Sequence, residues 1–177
     1  MKYLISVLSI LLAFEAGSQN LTSANPARLQ VFLQTTTGDR IMLSCEELNN
    51  QFSQLTMTGS LEFSDLRTDN AEIQSLLDSL AGGRITYSCI IPEGQFVFHN
   101  SVNYTFSAEA EIIHRDHSGR FMMNFEVSNQ KTSTANTFAI TCSGKLSLSE
   151  HLGLVAEGEV LDEVSFQFFQ NVRSLNY

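Results

Sequence analysis

The chain has 177 residues, 43% hydrophobic and only 16% charged, with 10 Gly, 2 Pro and no Trp. That composition folds, and it excludes disordered, collagen-like and proline-rich classes. With 10 Lys and Arg against 19 Asp and Glu, the formal charge is −9 and no basic face is available for nucleic acid.

Residues 1–18 read as a secretory signal: Lys2, then an apolar run from Tyr3 to Phe14, then Ala16-Gly17-Ser18 as a small-residue cleavage site. Glu15 ends the run short of the ~18 apolar residues a membrane span needs. The expectation is an exported protein, periplasmic or extracellular and not membrane-spanning, whose single domain is residues 19–177.

From there apolar residues recur at every second position, the period of a sheet with one buried face. Short strands are expected at 29–33 and 41–45. A longer one at 54–63 puts Leu55, Met57, Gly59, Leu61 and Phe63 on one face. Over 69–81 the period changes: Ile73, Leu76, Leu77 and Leu80 follow helical spacing. Asp69 and Glu72 stand as a capping box before them, and Gly82-Gly83 stops the helix. The single stripe predicts a helix that covers the sheet or a barrel end.

Strands resume at 84–91 and 95–99. The stretch 105–114 has Phe106, Ala108, Ala110 and Ile112 inward; 121–128 has Phe121, Met123, Phe125 and Val127. In 138–148, Phe138, Ile140, Cys142, Gly144, Leu146 and Leu148 share a face, and 164–170 closes the series. Turns are expected at Thr37-Gly38-Asp39, Pro92-Glu93-Gly94 and Asp116-His117-Ser118-Gly119. About nine strands and one short helix predict an all-β antiparallel barrel or sandwich.

Catalytic chemistry finds no foothold, and no cofactor is expected. His114-Arg115-Asp116 resembles the start of a kinase catalytic loop but lacks the Asn and the Gly-rich loop that chemistry needs. There is no Gly-x-Ser-x-Gly elbow and no P-loop. His114, His117 and Asp116 read as a solvated turn before they read as metal ligands, and His99 and His151 as solvated or locally hydrogen-bonded side chains. Glu109 and Glu111 share an outward polar face. Cys45, Cys89 and Cys142 all fall in the inward phase; three buried thiols come first, one disulfide plus one thiol second, and a metal site last.

Several segments resemble the YceI-like polyisoprenoid-binding family. Leu61-Glu62-Phe63-Ser64-Asp65-Leu66-Arg67-Thr68-Asp69-Asn70 looks like its entry to the helical part, and Ile91-Pro92-Glu93-Gly94-Gln95-Phe96-Val97-Phe98 like its "Y-P-x-I-x-F" strand start. Tyr104 to Val127 is similar to its hairpin. Gly144-Lys145-Leu146-Ser147-Leu148-Ser149 and Asp162-Glu163-Val164-Ser165-Phe166 look like its closing pair, so the match spans Ser53 to Val172. The resemblance implies an antiparallel lipocalin-like β-barrel of about eight or nine strands with one short amphipathic helix. It also implies a ligand: a hydrophobic, lipid-like molecule, an isoprenoid chain in that family, enclosed without chemistry.

An eight-stranded barrel is just wide enough to be filled by side chains or to hold one small ligand. Inward Gly59, Cys89, Ala108, Ala110, Cys142 and Gly144 are small, and between large neighbours they predict a tunnel. The expected lining is Met57, Phe63, Phe96, Phe98, Phe106, Ala108, Ala110, Phe121, Met123, Phe138 and Cys142. The alternative is a solid barrel, small residues facing large ones, acting as an envelope or surface interaction protein through its polar outer strands.

Overall fold

The computed structural model describes residues 20–175 apart from 54, 81, 93–94, 96–102, 132–135 and 156–159. The expected signal segment lies outside the described residues, as does the expected strand at 95–99 beyond Gln95, with Phe96 and Phe98. The strands are β1 (Asn20–Ser23), β2 (Ala27–Gln34), β3 (Arg40–Ser53), β4 (Thr56–Glu62), β5 (Arg84–Ile90), β6 (Asn103–His114), β7 (His117–Lys131), β8 (Asn136–Ser147) and β9 (Glu163–Leu175). A 3-10 turn (Phe63–Asp65) and helix α1 (Ala71–Ser79) separate β4 from β5, and a short helix α2 (Leu148–Leu152) follows β8.

Every strand pairs antiparallel with its neighbour from β2 through β9, and β9 pairs back onto β2, which closes an eight-stranded barrel. β1 is the additional strand, continuing the β2 side along the end of β9 with Ser23 opposite Val172. Pro26, which has no N–H to donate, separates β1 from β2. Across that break the Asn25 side chain accepts from Asn171 N at 2.9 Å.

β3 runs well past the predicted 41–45 because a bulge hides the rest of it. Leu29 pairs with Cys45 but Ala27 with Leu48, so Glu46-Glu47 carries one extra residue. The inward phase shifts from Ile41, Leu43, Cys45 to Leu48, Asn50, Phe52, and a strict period-two reading ends at the shift.

The hairpin between β6 and β7 turns at Arg115-Asp116, two residues earlier than expected. His117, Ser118 and Gly119 already belong to β7, and His114 sits directly opposite His117. Arg115 takes a left-handed φ of 55° to make so tight a turn. Helix α1 is capped by Asn70, whose Oδ1 accepts from Ile73 N at 3.0 Å; the expected cap, Asp69, is one residue too early. Gly82, at φ 91°, ends the helical segment in the left-handed region that glycine tolerates.

Candidate functional site: an apolar cavity in the upper half of the barrel

The interior has two different halves. At the end carrying the 3-10 turn, α1 and α2, a cavity of about 420 Å³ opens inside the barrel. Its wall is Leu29, Val31 and Leu33 on β2, Leu43 and Leu48 on β3, Leu61 on β4, Ile85 and Tyr87 on β5, Ile112 on β6, Phe121 and Met123 on β7, Leu146 on β8, and Val164, Phe166 and Phe168 on β9. Ile73, Leu76, Leu77 and Leu80 of α1 roof it, with Phe63, Leu66, Leu148, Leu152, Leu154, Val155 and Val160 around the mouth. Among the described residues no charged side chain lines it. The volume lies within the ~300–1,000 Å³ of ligand pockets.

One residue deeper on each strand the interior is closed. Met57, Ala110, Phe138, Cys142, Val127 and Val172 are wholly buried, and Cys89, Phe125 and Ile140 nearly so. None of them reaches the cavity. Of the expected lining, Phe63, Phe121 and Met123 face the cavity, whereas Met57, Phe106, Ala108, Ala110, Phe138 and Cys142 lie in or beside the closed half. The small residues fail to leave a tunnel for a packing reason. Phe125 stacks on Phe106 with ring centroids 4.6 Å apart, and directly opposite Phe125 stands Cys142, so a small residue sits against a large one. The two inward glycines are filled likewise. A Cβ at Gly59 would overlap the Tyr87 ring, and one at Gly144 would fall 2.7 Å from Phe166 Cζ.

Between the halves lies a belt of polar side chains, Asn50 and Gln170 buried and Tyr87 half-buried. Tyr87 Oη donates to Asn50 Oδ1 at 2.7 Å, Asn50 Nδ2 donates to Gln170 Oε1 at 2.5 Å, and Gln170 Nε2 donates to the carbonyls of Asn25 and Asn50. Burying amides costs free energy unless they are paired, and these are. Burial holds the Tyr87 phenol far above its ordinary range, so it stays a neutral donor. Pattern reading passed over Asn50 and Gln170 because they are polar at inward positions. The signal available was Gly59, since glycine inside a strand marks a close approach.

α1 covers the cavity without sealing it: Leu77 is 6% exposed but Leu76 38%. On the other side α2, which the strand period gave no reason to expect, is tied to the barrel by polar contacts. His114 Nδ1 donates to the carbonyl of Leu152 at 2.7 Å, and His114 is 1% exposed, so it is a buried anchor and not a solvated turn residue. His151 accepts from Ser147 N through Nδ1 and donates to the carbonyl of Arg120 through Nε2. Asp162 accepts from Ser147 Oγ at 2.5 Å and Ser149 N at 2.8 Å, and these hydrogen bonds hold its carboxyl below the usual carboxylate range.

The remaining candidates are arranged for structure. Glu109 pairs with Arg120 at 3.3 Å on the outer face. Cys45, Cys89 and Cys142 are free, buried thiols, and burial raises the pKa of each, that of Cys89 to about 11. Among the described residues no group of three His, Cys, Asp or Glu is placed to hold a metal. A second hollow, of about 360 Å³, lies on the outer face of β3 to β6 and is lined mainly by polar side chains, including Asn49, Gln51, Ser60 and Arg84.

No protein-family model and no curated protein matches this sequence. Likeness appears in three dimensions. A polyisoprenoid-binding domain from Saccharophagus degradans, implicated in plant cell wall breakdown, superposes with a TM-score of 0.66 at 8% identity, over 88% of this chain and 99% of that one. BcnA from Burkholderia cenocepacia superposes with a TM-score of 0.55 at 10% identity, over 82% and 95%. At such identities the likeness shows the fold alone: the lipocalin-like antiparallel barrel expected from the segments between Ser53 and Val172.

Proposed function

We propose that this is an exported, non-enzymatic carrier that holds one hydrophobic, chain-like lipid in the upper half of its barrel. The observation that carries the reading is the cavity: about 420 Å³ and, among the described residues, lined by apolar side chains and a single phenol whose proton is already donated to Asn50. Such a space offers a hydrocarbon the full gain of leaving water, roughly 25 cal/mol per Å² of apolar surface. A charged or strongly polar group placed there would lose its hydration and find no partner. The polyisoprenoid-binding domain of the same fold supports a long apolar ligand, and the Lys2-to-Ser18 signal pattern supports export. The cavity also weighs against the solid-barrel alternative.

The test is native mass spectrometry and lipid extraction of protein purified from its own host, beside a Val31→Phe variant that fills the cavity from β2. A co-purifying apolar molecule present in the wild type and lost from a folded Val31→Phe protein is the expected result. A wild type that carries nothing and takes up no apolar chain when offered one overturns the carrier reading.

A further inference from the structure

We propose that Tyr87 and the belt beneath it form a floor that limits the length of chain the barrel accepts. This rests on the carrier reading and adds to it a specificity determinant.

The lining ends at one level around the barrel. On β5 it includes Ile85 and Tyr87 but not Cys89; on β6, Ile112 but not Ala110; on β9, Phe168 but not Gln170. Cys89, Ala110 and Gln170 are each 3% exposed or less, so among the described residues the cavity stops above them. The floor is also fixed in place. The Tyr87 ring lies over Gly59, the residue directly opposite it on β4, and its hydroxyl is held by Asn50 on β3, which in turn holds Gln170 on β9. A chain that pressed down on the ring would have to break this sequence of buried hydrogen bonds.

The same arrangement orients the chain. Each donor group of the belt is engaged within it: the Tyr87 hydroxyl, the Asn50 amide and the Gln170 amide each donate to a protein carbonyl. Any polar end of a ligand therefore stays at the mouth, and the apolar end meets the floor. On β9 the wall runs from Val164 to Phe168, four residue steps or ~13 Å along the strand. Each methylene that enters this depth should tighten binding about fourfold, the equivalent of ~0.8 kcal/mol. Methylenes beyond it remain at the mouth and add little.

The experiment is displacement of a fluorescent fatty probe by a homologous series of linear alcohols, from hexanol to eicosanol, read as affinity against chain length. In wild type, affinity is expected to rise about fourfold per carbon and then break to a plateau. Tyr87→Ala removes the floor and moves the break to longer chains; Gly59→Ala pushes the ring upward and moves it to shorter ones. Should Tyr87→Ala fail to fold, Phe168→Leu shortens a side chain at the same level without touching the belt and moves the break the same way. A break at the same length in wild type and in the floor variants overturns the proposal, as does tightening that never breaks. Failure of every chain to bind overturns the carrier reading itself, a distinct result.

Discussion

Tyr87 and Gly59 face each other directly across the β4–β5 ladder, and the tyrosine ring occupies the space where a side chain at 59 would stand. Elsewhere in a strand, Gly→Ala at an extended position tends to stabilise by ~0.4–1 kcal/mol, because alanine gives up less freedom on folding. Here the sign reverses. Gly59→Ala must displace the ring or strain Asn50, and the expected outcome is a loss of ~1–3 kcal/mol in denaturant unfolding. A stabilised variant would show that the ring yields freely.

Tyr87→Phe isolates the hydrogen bond from the ring. It leaves Asn50 Oδ1 buried without the 2.7 Å donor, a loss expected at ~1–3 kcal/mol. Chemical unfolding of Tyr87→Phe beside wild type measures it.

The relation between these residues shows where sequence reading succeeded and where it stopped. The inward faces of β4, β6, β7 and β8 were legible because Met57, Ala108, Met123 and Cys142 sit on unbroken alternation. The lower part of β3 was not, because one extra residue at Glu46-Glu47 reverses the phase. The site was misplaced for a subtler reason. Period two says which residues point inward but not which inward residues meet, so Gly59 and Gly144 read as empty space although Tyr87 and Phe166 fill them from the neighbouring strands. The open space comes from the roof, where α1, α2 and the segments beside them hold large apolar residues around the barrel end without filling it.

Ala110 illustrates the consequence. It is 0% exposed, opposite Cys89 on one side and Phe121 on the other, and outside the cavity lining. Ala110→Phe should therefore overpack the closed half and destabilise by ~1–3 kcal/mol or more. Thermal unfolding checks it; an unchanged midpoint would place free volume where the structure has none.

The roof helix makes a graded prediction. Leu77 is buried and Leu76 is more than one-third exposed, although both point toward the cavity. Leu77→Ala is expected to cost ~2–3 kcal/mol and Leu76→Ala under ~1 kcal/mol, since a half-open site loses less transfer energy and leaves a smaller void. Equal losses in urea unfolding would mean that the roof closes more tightly than this geometry.

Acid should loosen the α2 end of the barrel first. Asp162 holds α2 to the start of β9 as a carboxylate, accepting from Ser147 and Ser149, and those hydrogen bonds depress its pKa in the folded protein. A depressed carboxyl contributes its stabilisation fully above its unfolded pKa, about 4, and loses it as the pH falls through the lower folded value. The effect thus belongs to the acid side of pH 4 and is absent at neutral pH. Amide exchange of residues 148–152, followed from pH 6 downward, should accelerate beyond its intrinsic pH dependence in wild type only below that point. In Asp162→Asn, which cannot gain the proton, residues 148–152 should show no such acid step and should already exchange faster at pH 6. An acid step of equal size in both proteins would assign the titration to another group.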